Sequence, residues 1–184
     1  HDSREKGFKT VFSAYAEATI VPEKLKFKTS YNLDFYFYDA RTYTPEHNVG
    51  GSQGNATSAL SKTYGYGTYH IIDNTLTYSD TKGAHSFSAM LGQSTRMQYN
   101  ASLSGRANSV PGFDEQSKYL VNGSYKNQTT SDAASRYNGL SFFARGTYNY
   151  KDKYLATVTL RADGRSKYQQ KWGLFPSVGL AWNM

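Results

Sequence analysis

The sequence has no cysteine and no long hydrophobic run, and each absence excludes a class of protein. Without cysteine among its 184 residues, the chain has neither a disulfide framework nor a thiol nucleophile. No stretch approaches the roughly eighteen apolar residues that a membrane-spanning helix requires. Helical periodicity is also lacking, so a helical membrane protein is excluded.

The chain is instead rich in aromatic residues. It contains 17 Tyr, 10 Phe and 2 Trp, and tyrosine suits a membrane interface because its ring lies in the hydrocarbon edge and its hydroxyl among the headgroups. The net charge of +7 is spread along the chain without a block of Lys or Arg, which argues against a nucleic-acid surface.

One long segment, Leu25 to Tyr38, alternates between apolar and polar side chains over most of its length. At roughly 3.4 Å per residue it extends well over 40 Å. It is therefore longer than a typical strand of a soluble protein and long enough to cross a bilayer at a tilt. The mean hydropathy of -0.68 is compatible with this, because only every second strand residue of a barrel meets lipid. The pattern predicts an all-β protein, a segment of an antiparallel transmembrane β-barrel.

The same alternation predicts seven long strands. They are Phe8–Ile20, Leu25–Tyr38, Tyr64–Tyr78, His85–Asn100, Leu140–Tyr150, Tyr154–Ala162 and Ser177–Met184. Three connections are short (Val21–Lys24, Ser79–Ala84 and Lys151–Lys153), two are long (Asp39–Thr63 and Ala101–Gly139) and one is intermediate (Asp163–Pro176). Short periplasmic turns that alternate with long extracellular loops are typical of outer-membrane barrels.

The tightest predicted hairpin places apolar residues opposite one another. Its three-residue turn pairs Tyr150 with Tyr154, Gly146 with Val158 and Ala144 with Leu160, while Arg145 and Arg161 share the polar parity. At the next turn the expected pairs are Tyr78 with His85, Leu76 with Phe87 and Ile72 with Leu91. Because bacterial single-chain barrels use an even number of strands, seven strands predict an arc of a larger barrel.

Six short segments, in this order, resemble the SusC/RagA-type TonB-dependent outer-membrane transporters of Bacteroidetes. They are LKFKTSYNLD (Leu25–Asp34), DNTLTY (Asp73–Tyr78), HSFSAMLGQS (His85–Ser94), YNYKDKYL (Tyr148–Leu155), RADGRSKY (Arg161–Tyr168) and KWGLFPS (Lys171–Ser177). The resemblance implies that residues 1–184 are a mid-barrel part of the receptor's β-barrel domain, without a plug domain, a TonB box or the barrel C-terminus.

The resemblance also implies a function for the whole transporter. Such proteins lie in the outer membrane of Gram-negative bacteria, in contact with its lipid, and import oligosaccharides or peptides with energy delivered through TonB and with a SusD-like surface lipoprotein. Neither catalysis, a cofactor nor a nucleic-acid partner is implied. The alternatives are a small outer-membrane barrel that acts as an adhesin or structural protein, and a secreted all-β binding module.

Two sets of residues are candidates for contact with a ligand or with the barrel interior. Loop and loop-edge aromatics could stack on sugar rings or only pack the loops together; these are Tyr43, Tyr64, Tyr66, Tyr119 and Trp172. Arg145, Arg161 and Asp163 fall on the polar parity and predict a charge network in the barrel lumen, with a structural role or, less often, substrate contact.

Other motifs favour plain interpretations. Gly50–Gly54 fits G-x-S-x-G around Ser52, with Asp73 and His85 in hydrolase order, but it lies in a flexible Gly/Ser/Asn-rich loop and no helix follows it. The histidines, His1, His47, His70 and His85, lack the paired spacing of metal ligands. Four N-x-S/T sequons, at Asn55, Asn100, Asn122 and Asn127, are the main sign of the secreted alternative.

Overall fold

The computed structural model describes residues 2–48, 50, 54–166 and 172–183, and most of these residues are in β-strands. The strands are β1 (Asp2–Val21), β2 (Leu25–Thr44), β3 (His47–Asn48), β4 (Gly54–Asn55), β5 (Ala59–Lys82), β6 (His85–Asn108), β7 (Thr129–Tyr150), β8 (Tyr154–Arg165) and β9 (Trp172–Trp182). Seven of them form one antiparallel sheet in the order β1-β2-β5-β6-β7-β8-β9, and β3 pairs with β4. The predicted fold class and all seven predicted strands are confirmed.

The remaining structure is small. Two 3₁₀ turns, Leu120–Asn122 and Tyr125–Asn127, lie in the connection between β6 and β7. Within the described residues there is no helix of the length and apolar character needed to cross a membrane. Because β1 and β9 each pair on one side only, the sheet is not closed within this chain.

Most strands are longer than the alternation predicts, and on β2, β5, β6 and β7 the largest extension lies at the end that leads into a long connection. β2 continues to Thr44, β5 begins at Ala59, β6 continues to Asn108 and β7 begins at Thr129. In these extensions both faces carry Ser, Thr, Asn and charged residues, so the period-2 signal disappears although the backbone ladder continues. The long connections are therefore shorter than predicted.

The β7–β8 hairpin has the predicted register. Tyr150 opposes Tyr154, Gly146 opposes Val158 and Ala144 opposes Leu160. The predicted bounds of the intermediate connection, Asp163–Pro176, are wrong. β8 continues to Arg165, and β9 begins at Trp172, which opposes Gly164. Pro176 lies within β9, where an edge strand tolerates its missing N–H.

The predicted register of the β5–β6 hairpin is also wrong. β5 runs to Lys82 and β6 starts at His85, which leaves a turn of only Gly83 and Ala84. Cross-strand hydroxyl pairs, Thr81 with Ser86 and Ser79 with Ser88, place the pairing four residues away from the predicted one. The parity is preserved, because a displacement by an even number keeps each side chain on its face. Gly83 makes the tight turn possible by taking a positive φ of 59°.

The chain forms two compact units. Five strands have residues in both units, namely β1, β2, β5, β6 and β7. The first unit consists of His1–Thr10, Phe35–Thr68 and Tyr99–Ser135, and it contains both long connections. The second consists of Val11–Asp34, Tyr69–Gln98 and Arg136–Met184, and it contains all three short turns.

Backbone hydrogen bonds join each short turn of the second unit to the neighbouring turn or strand end. Ser79 N–H donates to Lys24 C=O, Lys151 N–H to Ala84 C=O and Asn183 N–H to Lys153 C=O, each at 2.8 Å. The short turns therefore follow one another along a single edge of the sheet, as the alternation of short and long connections predicts.

Candidate functional site

The two faces of the sheet differ in chemistry over most of the β7–β8–β9 region, with Phe143, Leu155 and Phe175 as apolar exceptions on the polar parity. On one face Val158 lies between Gly146 and Val178, and on the other Thr159 lies between Arg145 and Ser177. Large apolar side chains on the first face are well exposed, for example Val178 at 70% and Leu180 at 81%. An apolar face of this extent needs a non-aqueous neighbour, and the bilayer supplies one.

Aromatic side chains line the apolar face next to the short turns. The rings of Tyr154 and Trp182 stack at 6.5 Å between centroids, and those of His85 and Tyr150 lie 4.8 Å apart. His85 Nδ1 also lies 2.6 Å from the Tyr148 hydroxyl. We call this set, His85, Tyr148, Tyr150, Tyr154 and Trp182, the aromatic belt, and its amphipathic rings suit a membrane–water interface.

The opposite, polar face holds a small cluster around Arg161. Arg161 Nε donates a 2.8 Å hydrogen bond to Asp163 Oδ1, and its guanidinium carbon lies 5.9 Å from the centre of the Phe143 ring. Gly92 lies directly beneath that ring, so that a side chain at position 92 would collide with it. Of the three residues in the predicted network, Arg161 and Asp163 are joined by this hydrogen bond. Arg145 opposes Thr159, so it lies diagonally across the hairpin from Arg161.

Two further groups on the polar face of β6 lack a partner. Ser94 Oγ and Arg96 Nε are buried from solvent but make no hydrogen bond within the part of the chain that the structure describes. A buried polar group without a partner costs free energy, so these positions favour contact with another segment on this face.

The first unit contains a compact core where the long connections begin. It consists of Tyr43, Leu60, Ala107 and Val110, with Leu120 packed against it. Leu60 is fully buried, and the hydroxyl of Tyr43, itself 8% exposed, donates to Val110 C=O at 3.3 Å. Of the two roles that the sequence left open for Tyr43, ligand stacking and loop packing, the structure shows the packing role.

A cluster of charged groups holds the second long connection, residues 109–128, against the ends of β1 and β2. Lys118 Nζ lies 2.8 Å from Asp2 Oδ2 and 3.2 Å from Glu115 Oε1, and Arg41 lies 2.7 Å from Glu115 Oε2. We call these four residues the Lys118 cluster. Sequence analysis missed it, because its members lie in three separate segments and carry no local pattern.

The electrostatics of the Lys118 cluster are complementary. The hydrogen bond from Lys118 lowers the pKa of Asp2, and the Arg41 guanidinium, with Lys118, lowers the pKa of Glu115. Asp2 and Glu115 in turn raise the pKa of Lys118. These shifts favour the charged forms of Asp2, Glu115 and Lys118 at neutral pH.

The other candidate aromatics are exposed but do not converge. Tyr66 packs against Tyr99 at 5.9 Å on the apolar parity, and the Nζ of Lys62 lies 4.7 Å from the centre of the Tyr119 ring. Tyr64 is exposed on β5, and Trp172, in the second unit, stacks on Phe142. Ligand contact by these side chains stays a prediction.

Residues 109–128 also present apolar side chains that sequence analysis did not single out. Phe113 is 93% exposed, Val121 81% and Tyr125 80%. Apolar residues scattered in a polar loop give no periodic signal, so only the structure shows that they point to solvent.

The remaining motifs have ordinary surroundings. His70 Nδ1 lies 2.8 Å from the Tyr31 hydroxyl, and no group of three His, Cys, Asp or Glu in the described ranges could hold a metal. Ser52 of the G-x-S-x-G motif and His1 lie outside the described residues.

Sequence comparison identifies relatives of one type. The chain is 30% identical over 164 residues, 87% of its length, to TonB-dependent receptor P3 of Formosa agariphila, and 30% identical over 110 residues, 58% of its length, to TonB-dependent receptor SusC of Bacteroides thetaiotaomicron. It spans 16% and 10% of those two proteins. No family model matches the chain.

Structure comparison identifies the same fold. The RagAB peptide transporter superposes with a TM-score of 0.84 at 16% identity, covering 97% of this chain and 20% of the matched chain. The RagAB peptide importer in its 'open-open' state matches with a TM-score of 0.83. By sequence and by fold, the chain is a β-barrel segment of the SusC/RagA type of TonB-dependent receptor.

Proposed function

We propose that this chain forms part of the barrel wall of an outer-membrane importer that is energised through TonB. The importer takes up an oligosaccharide or a peptide together with a SusD-like surface lipoprotein. The relatives named TonB-dependent receptors support the energy source, and one of them is SusC itself. The apolar face and its aromatic belt support a place in the membrane.

The observation that carries the proposal is the construction of residues 109–128. This connection is held by the core around Leu60 and by the Lys118 cluster, yet it exposes Phe113, Val121 and Tyr125. A loop that is fixed at its base and apolar at its surface is suited to contact a large ligand or a partner protein. In the proposed orientation the short turns face the periplasm and this loop lies outside the cell.

The polar face fits a barrel interior that is filled by another segment. Ser94 Oγ and Arg96 Nε lack partners within the described residues, and a plug domain of the parent protein would supply them. Arg161 and Asp163 would then anchor this contact or line the substrate path.

The test is uptake by the full-length parent transporter in its own host. We expect labelled oligosaccharide or peptide to accumulate only when TonB is functional. Replacing Phe113, Val121 and Tyr125 together with Ser should lower uptake and capture of the partner lipoprotein, while the barrel still assembles. The matched control replaces Thr129, Thr130 and Ser131, which are also exposed, with Ala and should leave both unchanged. Uptake independent of TonB, or none at all with normal surface assembly, would instead support an adhesin or structural barrel.

A further inference from the structure

Two tyrosines of β2 belong to the polar face of the sheet in the first unit. Tyr36 and Tyr38 share the parity of Asn32, whereas Phe35 and Phe37 share the apolar parity of the same strand. Tyr36 is 37% exposed and Tyr38 is half-buried. Alternation along β2 predicts polar side chains at both positions, so these two aromatic rings depart from the pattern of the polar face.

Glycines on the neighbouring strand allow both rings to lie down on the sheet. The outer end of the Tyr36 ring lies over Gly67 of β5, and that of the Tyr38 ring lies over Gly65. A Cβ at position 67 would be 2.5 Å from the Tyr36 ring, so a side chain there would displace it. A glycine inside a strand often marks a place that another group must approach closely. Here two glycines in alternate positions match two tyrosines in alternate positions.

Hydrogen bonds hold the Tyr36 ring in this orientation. Its hydroxyl donates to Asn100 Oδ1 on β6 at 2.9 Å, and Asn100 Nδ2 donates to Ser135 Oγ on β7 at 3.5 Å. Because neighbouring strands are about 4.8 Å apart, β2 and β6 are separated by about 9.6 Å, with β5 between them. The hydroxyl therefore reaches Asn100 only because the ring extends across β5. Asn100 shares the parity of Arg96, which places this contact on the polar face.

We call the rings of Tyr36 and Tyr38 the aromatic platform. Two residues apart on one strand, their Cα atoms are about 7 Å from each other. On the side of β5, β6 and β7 the platform is bordered by amide and hydroxyl side chains of the same face, which are Thr63, Asn100, Ser104 and Ser135. The platform therefore combines two adjacent aromatic rings with hydrogen-bonding groups at their edge.

We propose that the aromatic platform stacks on the sugar rings of an oligosaccharide inside the barrel. The C–H groups on one face of a pyranose pack on the negative face of an aromatic ring, and the sugar hydroxyls exchange hydrogen bonds with the amide and hydroxyl border. Because Tyr36 is already fixed by Asn100, little side-chain freedom is lost on binding. This inference rests on the proposed import function and assigns its ligand to the oligosaccharides.

The test is isothermal titration calorimetry with the purified full-length parent in detergent. The probes are neutral hexasaccharides of glucose, xylose, mannose and galactose, and a neutral hexapeptide of Ala, Gly and Ser. We expect at least one hexasaccharide to bind more tightly than the hexapeptide. Replacing Tyr36 and Tyr38 together with Leu should weaken its binding about tenfold, whereas replacing both with Phe keeps the rings and should weaken it by about threefold at most. The matched control replaces Phe35 and Phe37, on the other face of β2, with Leu and should leave the affinity unchanged.

A second variant tests the orientation of the rings while both tyrosines stay in place. Gly67→Ala should displace the Tyr36 ring and weaken hexasaccharide binding, and Gly146→Ala, where a Cβ meets nothing within 4 Å, should not. Both proteins are compared only after they show the heat-resistant mobility of an assembled barrel.

Three results would overturn the inference: no hexasaccharide binds, the Leu double variant keeps the wild-type affinity, or the hexapeptide depends on the platform as strongly as the hexasaccharide. Unchanged affinity in the Leu double variant would assign the two tyrosines to contact with another segment of the parent protein. TonB-dependent uptake of peptides alone would retain the proposed import function and overturn only the sugar site. Platform-dependent sugar binding without TonB-dependent uptake would retain the site and overturn the import function.

Discussion

The ammonium group of Lys118 donates a 2.8 Å hydrogen bond to the carboxylate of Asp2, a residue 116 positions earlier in the chain. Through this pair the first strand of the sheet holds the connection between the fourth and fifth long strands. In the sheet, β1 is separated by other strands from β6 and β7, which the loop of residues 109–128 connects. The contact between Asp2 and Lys118 therefore depends on how this loop folds and not on the pairing of strands.

Removing the Lys118 charge should loosen residues 109–128 without affecting the barrel. In Lys118→Met, Asp2 loses its closest partner and Glu115 keeps only its arginine partners, so we expect severalfold faster hydrogen exchange and protease cleavage in this loop. Lys126→Met, in the same loop but outside the cluster, is the control. Equal protection of the loop in both variants would show that the cluster does not hold it.

The Lys118 cluster should weaken in acid but not at neutral pH. The pKa values of Asp2 and Glu115 are lowered from their ordinary 3.8 and 4.5, so their stabilising contribution is complete above about pH 4.5 and is lost as the pH falls through the lowered values. The pKa of Lys118 is raised, so its contribution is complete below 10.5 and is lost only as the pH rises through the raised value. Hydrogen exchange of residues 109–128, corrected for intrinsic rates, should be constant from pH 5 to 8 and increase below pH 4. A midpoint near neutrality would contradict this assignment.

Gly92→Ala should destabilise the barrel wall because the new methyl group collides with the Phe143 ring. The ring must rotate away from Arg161, at a cost of about 1 to 2 kcal/mol, as in other overpacked sites. Thermal unfolding of the parent should detect this loss. Gly146→Ala on β7 is the matched control, because nothing lies within 4 Å of a Cβ there. The cost should disappear in a Phe143→Ala background, and persistence there would mean that another contact is responsible.

Single cysteines on β8 should separate the two faces residue by residue. Val158 and Leu160 share the apolar parity, whereas Thr157 and Thr159 share the polar parity. In a membrane-embedded parent without other thiols, cysteines at 157 and 159 should react with a small water-soluble reagent and those at 158 and 160 should resist. Reaction of a cysteine at 158 or 160, or resistance of one at 157 or 159, would disprove the assignment of faces.

The sequence predicts those parts of the fold where one face is apolar and the other polar. The β7–β8 register follows from Tyr150 and Tyr154, since a three-residue turn and strict alternation leave one pairing. The β5–β6 turn was misplaced because Thr81 and Lys82 continue the strand with polar residues, and a polar strand end resembles a loop in sequence.

The candidate site was less accessible to prediction. Tyr43 has the same residue type as Tyr119, and only tertiary packing shows that the first is buried beside Leu60 and the second exposed. The Lys118 cluster depends on contacts between segments remote in sequence. No local pattern encodes contacts of this kind.

The three short turns also determine how the barrel wall can be assembled. Closing a turn of two or three residues costs less chain entropy than closing one of the long connections, by about 1 to 2 kcal/mol on the logarithmic dependence of loop closure. The β1–β2, β5–β6 and β7–β8 hairpins are therefore expected to form first and then to join edge to edge. The strands of this sheet pair in the order in which they follow one another along the chain. Each hairpin can therefore be added to the growing wall as soon as it has been delivered to the membrane.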